Sequence, residues 1–357
     1  MIRRLSIIVA AAAAAGVLAA SPAFAHPAAG VPSLSLVDSA VFAPGQPFGG
    51  ISGIDYDPRT GRYVAISDDR SSIAPARYYT LRLPVSRKGL GTPVVTGVTT
   101  LRDTNGQPFA NGTVDPEAVR ELPGTDRLAW TSEGAASTGI PPFVRETSHD
   151  GAFRREYRLP AAYLPSATSG VRNNLALESL TVSADGRSLI TATENALVQD
   201  GPAATLTNGS KSRVLVLDRR SGRARAEYVY PVSPIAHAAT DPANPYQDRG
   251  LTDLLAINQT DFLAVERSYA GGVGFTIQIF WTSTRGATNA AGRTALTGTE
   301  KAMSKKLLFE FPAADNVEGL TWGPRLADGS RSIVAVTDDN FGTAGTQFHL
   351  LRYGSRR

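Results

Sequence analysis

Short apolar runs broken by turn residues set the rhythm of this chain. Asn174-Leu175-Ala176-Leu177-Glu178-Ser179-Leu180-Thr181-Val182 reads as a strand with one carboxylate near its start, and it ends at the turn Ala184-Asp185-Gly186. Val114-Asp115-Pro116-Glu117-Ala118-Val119, Leu251-Thr252-Asp253-Leu254-Leu255 and Asn316-Val317-Glu318-Gly319-Leu320-Thr321-Trp322 share its frame, an acid followed two positions later by an aliphatic. Gly50-Ile51-Ser52-Gly53-Ile54-Asp55-Tyr56 keeps the frame with Ser52 in the acid's place. After a turn, each is followed by a second apolar run ending in acid, at residues 63–69, 128–133, 189–194, 262–266 and 333–339. Alternating side chains put residues i and i+2 on one face, so each acid shares a face with its aliphatic. The spacing from one copy to the next is 61 to 75 residues. Repeats of this length, each a hairpin, predict a propeller or solenoid.

Each unit also has room for outer strands, at 77–83 and 93–101, 143–147 and 153–159, 212–217 and 225–230, 275–281 and 306–311. The last unit has only 347–353 before the chain ends, and residues 34–42 at the other end can supply its missing strand, closing the ring and hiding an open sheet edge. The expected fold is therefore all-β, a β-propeller of five blades closed by the N-terminal strand, with a sixth, degenerate blade possible in the long insertions 195–211, 233–250 and 286–304. Insertions of this length in a compact domain are often binding loops. An innermost propeller strand runs along the central channel, so an acid at its start is expected where the strands converge on one mouth.

Composition narrows the chemistry. Residues 1–25 read as a secretory signal peptide, with Arg3 and Arg4, an apolar stretch from Ile7 to Ala20, and Ala23-Phe24-Ala25 as the cleavage site. Residues 26–47 then form an N-terminal segment with the closing strand, and 48–357 the propeller. A secreted protein, extracellular or periplasmic, is expected, with no membrane partner after cleavage and a monomer favoured. The absence of cysteine excludes thiol nucleophiles and thiolate metal sites. Loss of the leader lowers the formal net charge from +4 to +2, spread without a basic block, which argues against nucleic acid as a partner. His26, His149, His237 and His349 fall in no pattern that points to a Ser-His-Asp arrangement, and no Gly-x-Ser-x-Gly elbow occurs.

What remains is carboxylate, Asn and Arg. Clustered acids stay ionised together only when a cation, a proton or an arginine neutralises them. Glu117, Glu178, Asp253 and Glu318, with Asn174 and Asn316, offer the all-oxygen ligand set that hard cations such as Ca²⁺ prefer, and the same four acids are the candidate catalytic groups. Arg70, Arg77, Arg172 and Arg267 lie close to the repeat motifs, and a guanidinium fork suits phosphate oxygens.

Gly49-Gly50-Ile51-Ser52-Gly53-Ile54-Asp55-Tyr56-Asp57, Ile66-Ser67-Asp68-Asp69-Arg70, Arg77-Tyr78-Tyr79-Thr80-Leu81, the stretch 174–180, Glu194-Asn195-Ala196-Leu197, Val265-Glu266-Arg267, Asn316-Val317-Glu318-Gly319-Leu320 and Asp338-Asp339-Asn340-Phe341 together resemble the bacterial phytase-like family, the esterase-like activity of phytase domain. The resemblance runs from about Phe48 to Tyr353. One departure is Glu178-Ser179-Leu180, where the family usually reads Glu-Gly-Leu. The resemblance implies a secreted β-propeller and hydrolysis of a phosphoester or ester. The expected activity is metal-assisted hydrolysis of phosphate monoesters. The alternatives are a non-catalytic ligand- or protein-binding propeller and a metal-dependent esterase or lactonase.

Overall fold

The computed structural model describes residues 31–313 and 315–354; the leader expected at 1–25 lies outside them. Five four-stranded antiparallel sheets form five blades. The inner strands are Ile51–Asp57, Pro116–Glu121, Leu177–Val182, Gln247–Ala256 and Val317–Trp322, and they touch one another in that order around a ring. Each pairs with a second strand, Arg62–Ser67, Arg127–Ser132, Ser188–Thr193, Asp261–Ala270 or Arg331–Thr337. The fifth blade is completed by Ser33–Phe42, which pairs antiparallel with Thr346–Gly354, so the two ends of the chain close the ring as expected. No sixth blade forms among the described residues.

The burial pattern follows position in the blade. Ser188–Thr193 is buried at every residue because it packs on both faces, whereas the outer strand Val94–Thr100 alternates between exposed and half-buried side chains. Five apolar clusters fill the five interfaces between neighbouring blades. Within four of the five inner strands an apolar pair three apart faces these clusters: Ile51 and Ile54, Leu177 and Leu180, Leu251 and Leu254, Val317 and Leu320 are each fully buried.

Of the three long insertions, 286–304 is clamped to blade 3. Arg213, buried with Asp200 and Glu227, donates to the carbonyls of Arg293 and Thr294. Asn195 ties the 195–211 loop to the Arg249 carbonyl. Only 233–250 reaches the mouth of the channel, through Tyr246.

The channel itself is crossed by an ion pair. Arg120 donates to both carboxylate oxygens of Asp253, at 3.0 and 2.8 Å, and to the Ile54 carbonyl at 2.6 Å. Asp253 also accepts the Leu320 amide at 2.7 Å. Both side chains are about 2 % exposed. Removing one partner leaves a buried charge without compensation, which costs about 3–5 kcal/mol. We therefore expect Arg120→Ala or Asp253→Ala each to lower urea-unfolding stability by about that much. The double variant Arg120→Met/Asp253→Leu should lose clearly less than the sum of the singles.

Candidate functional site

Every inner strand carries a bulge, near its start in four blades and midway along the longer strand of blade 4. The pairing registers slip between Ile51 and Gly53, Pro116 and Val119, Leu177 and Ser179, Leu251 and Asp253, and Val317 and Gly319. A bulge leaves a residue outside the ladder and re-aims its side chain. The skipped positions are Ser52, Glu117 with Ala118, Glu178, Thr252 and Glu318. A second ring lies on the second strands, just beyond their ends in four blades and within the longer strand of blade 4. The partners of Ile51, Pro116, Leu177, Leu251 and Val317 are Ser67, Ser132, Thr193, Glu266 and Thr337, and the residues that follow them are Asp68, Glu133, Glu194, Arg267 and Asp338. The two rings meet at one end of the channel around a cavity of about 400 Å³.

Glu117, Glu178 and Glu318 enter this cavity as the sequence predicts, together with Asn174, Asn316, Arg70 and Arg267. Asp253 does not. It sits one residue past the skipped position, which in blade 4 is Thr252, so its side chain points into the channel and is consumed by Arg120. Arg77 is also placed elsewhere: it is buried against Asp69 at 2.6 Å and donates to the Pro47 carbonyl, fixing the loop behind the mouth. Arg172 holds the carbonyls of Ala196 and Gly201 and is spent on that turn. Conversely, Glu133, Glu194, Asp115, Asp68 and Asp338 belong to the site. For all but Asp115, which precedes the inner strand of blade 2, the signal was the acid at the end of each second apolar run.

The carboxylates crowd closely. Single oxygens of Asp115, Glu117 and Glu133 lie within 4.8 Å of one another, and so do those of Glu133, Glu178 and Glu194. Burial, reinforced by neighbouring acids, holds Glu117, Glu178, Glu318 and Asp68 well above the usual carboxylate range. Burial also pushes Asp115 and Asp338 to about 6, Glu194 to about 7 and Glu133 to about 8. The Arg70 guanidinium restrains the rise at Asp115, and Arg267 restrains it at Glu194.

Arg267 is the counter-charge inside the ring, 2.8 Å from Glu194, 3.7 Å from Asp248 and 3.9 Å from Glu318. Arg70 stands at the rim, nearly half exposed, between Asp115 and Asn174, each at 2.5 Å. Asn316 donates to Glu318 at 2.9 Å and to Asp338 at 3.2 Å. Glu194 Oε2, Asn316 Oδ1 and Asp68 Oδ1 are buried without a hydrogen-bond partner. Buried polar atoms are seldom left so, and here several gather around one cavity.

The backbone around the mouth is correspondingly constrained. The non-glycine residues with positive φ among those described are Ser71, Asn174, Asn340 and Phe341, all in or beside the loops that rim the cavity. Such conformations cost energy and gather at functional sites. Gly250 is required for space: a Cβ there would stand 2.0 Å from Glu194 Oε1. One wall is different in kind, with Tyr269 between Tyr246 at 6.1 Å and Phe275 at 4.9 Å between ring centres.

A carboxyl whose pKa is raised by folding binds more protons in the folded than in the unfolded chain between the two values, so stability falls as pH rises through that window. The mouth acids start from about 4 when unfolded. In chelator-treated protein, thermal melting should therefore drop by several degrees between pH 5 and pH 8.5, and Glu133→Gln should flatten the upper part of that fall. A melting curve that rises over this range would contradict the assignment.

Comparisons with known proteins bear on the family. Among solved structures, the chain is similar to an endo-arabinase from Bacteroides thetaiotaomicron at 13% identity and TM-score 0.46, covering 89% of this chain and 98% of that one. A hypothetical protein from Leishmania major is similar at 8% identity and TM-score 0.44, with 89% and 90% covered. No curated protein matches. The sequence model of the Phytase-like family, described as esterase-like activity of phytase, matches residues 46–341. This chain belongs to the Phytase-like family.

Proposed function

We propose that the chain is a secreted, cation-assisted hydrolase of phosphate monoesters that works at the acidic mouth. The observation that supports this most is the pair of carboxylate triads sharing Glu133, beside buried oxygens that have no partner. Acids this close cannot all ionise unless positive charge joins them. Asp115, Glu117, Glu133, Glu178 and Glu194 present the oxygen-only donor set of a hard cation such as Ca²⁺. When bound, a cation of this kind neutralises the mouth, polarises a phosphoryl oxygen and acidifies water.

The chain's own residues divide the remaining work. Arg70, at the rim and nearly half exposed, is placed to take phosphate oxygens as a fork. Arg267, gripped by Glu194, supplies fixed positive charge deeper in the cavity. Asn316 orients Glu318 and Asp338. Asp68 stands outside both triads, with one buried carboxylate oxygen unpartnered and its proton held by burial and by Asp338. A carboxyl that keeps its proton near neutrality can protonate a departing alkoxide, a contribution of about 10²–10⁴ in rate. The aromatic wall of Tyr246, Tyr269 and Phe275 faces the same cavity and suits the organic part of the ester. That wall also favours a second reading, hydrolysis of a carboxylic ester or lactone at the same site.

Thermal melting of chelated protein with and without added Ca²⁺, beside phosphate release from phytate and an aryl phosphate, tests the proposal. A calcium-dependent rise with phosphate release is expected, lost in Glu178→Gln. Turnover of an aryl carboxylic ester without phosphate release selects the second reading, and a rise with no turnover leaves a binding propeller. Asp68→Asn should slow an alkyl phosphate by roughly a hundredfold and p-nitrophenyl phosphate far less, because the aryl leaving group needs no proton. Equal losses on both would remove Asp68 as the proton donor.

A further inference from the structure

The face opposite the mouth carries a different charge. Inner strands start at the mouth and second strands return to it, so the turns between them lie at the far end. There the turns at Thr125 and Gly186, the outer strand Phe153–Glu156 of blade 2 and the turn at 218–222 of blade 3 enclose a groove of about 710 Å³. Five arginines line it, Arg127, Arg155, Arg187, Arg219 and Arg220, with Glu146 and Asp218 as the acids. Although the sequence shows no basic block, the turns of two blades bring these arginines together from separate segments.

Their pairing is lopsided. Arg127 lies 3.1 Å from Glu146, but none of the other four is within 4 Å of a carboxylate among the described residues. Two of them are held by backbone carbonyls instead. Arg155 donates to the carbonyls of Arg219 at 2.5 Å and Arg220 at 3.1 Å, and Arg219 donates to Gly186 at 2.5 Å. A carbonyl orients a guanidinium without neutralising it. The Tyr157 ring lies 4.9 Å from the Arg155 guanidinium, and Gly222, at φ +72°, leaves the space Arg155 occupies; a Cβ there would stand 2.4 Å from it. Arg219 Nε is buried with no acceptor. Arg187 and Arg220 are exposed at the edges.

We propose that this groove is a binding site for a multivalent phosphate anion, a chain carrying several phosphate groups. Positioned but unneutralised guanidiniums, with one N–H lacking an acceptor, supply the forked donors that phosphate oxygens take up. The recess favours a chain that enters it over a flat lipid surface. Binding here is independent of the mouth and of any cation held there.

The test is isothermal titration of the full mature chain with sodium tripolyphosphate at low ionic strength, with EDTA present so that the mouth cannot hold phosphate through a divalent cation. Measurable binding is expected, weakening steeply on adding salt because exposed charges are screened. Arg187→Glu/Arg220→Glu, which leaves the carbonyl-bound Arg155 and Arg219 in place, should weaken binding at least tenfold, while Glu178→Gln should leave it unchanged. Circular dichroism and melting of the double variant verify that it is folded. Absence of binding, binding unchanged in the double variant, or association only with anionic phosphatidylglycerol vesicles would each overturn the proposal.

Discussion

Arg120 and Asp253 meet across the channel, and the height of everything above them depends on that contact. The clusters between blades are apolar and non-directional, so by themselves they would let one blade slide against the next. The ion pair is directional. Arg120 of blade 2 reaches Asp253 of blade 4 and the Ile54 carbonyl of blade 1, and Asp253 takes the Leu320 amide of blade 5. Just beyond it, Thr181 accepts the Ala256 amide, joining blade 3 to blade 4, and Asp55 accepts the Glu121 amide and the Thr321 hydroxyl. All five inner strands are thereby pinned in relative height, which brings five bulges to one level. The same pair divides the channel into the acidic cavity above and a smaller recess of about 300 Å³ below, lined by Tyr56, Leu122, Val182, Leu255 and Trp322.

Pinning the strands concentrates like charge. A free hairpin could swing its acid into water, but a closed ring holds Glu117, Glu178 and Glu318 where burial and their neighbours raise their proton affinity. The cost falls on ring closure and on the apolar interfaces that surround the channel. This is the usual relation between a scaffold and the unfavourable electrostatics of a site it supports.

The repeat made the fold readable from sequence. Hairpins with a fixed turn and a recurring acid gave the blade number, and the missing fourth strand of the last unit pointed to residues 34–42. The inner-ring acid was aligned in blades 2, 3 and 5 and misaligned in blade 4. Aligning acid to acid placed Asp253 beside Glu178 and Glu318, whereas the pairing places Thr252 there. A slip of one residue sends a side chain to the other face of a strand. The correct frame lay in the apolar pairs: Leu177 and Leu180, Val317 and Leu320, Ile51 and Ile54 are each three apart, and in blade 4 the matching pair is Leu251 and Leu254, with Asp253 next to the second. The burial that decides the register belongs to the interface with the neighbouring blade, which no single repeat displays. Arg77 and Arg172 were misplaced for a related reason. Both lie near the motifs in sequence, but Arg77 is committed to the Asp69 carboxylate and the Pro47 carbonyl, and Arg172 to the carbonyls of Ala196 and Gly201.

The exception in blade 4 gives the mouth its direction. Four second strands are followed by an acid there, whereas the longer second strand of blade 4 carries Arg267 at that level, and the same blade offers Thr252 in place of an inner-ring acid. A fivefold ring of identical carboxylates would present one uniform well of negative potential. Substituting arginine at one station instead leaves both carboxylate triads on blades 2 and 3, sets a fixed positive charge on blade 4 between Glu194 of blade 3 and Glu318 of blade 5, and leaves Arg70 at the rim by blade 1. The aromatic wall rises on the same blade 4, from Tyr269 and Phe275. A ligand with a charged head and an apolar body therefore meets different chemistry on each side of the cavity, so it is oriented as well as held. On the proposed chemistry that asymmetry matters more than the number of acids, because positioning the scissile bond against one face of the ring is what turns a buried cluster of carboxylates into a catalytic arrangement.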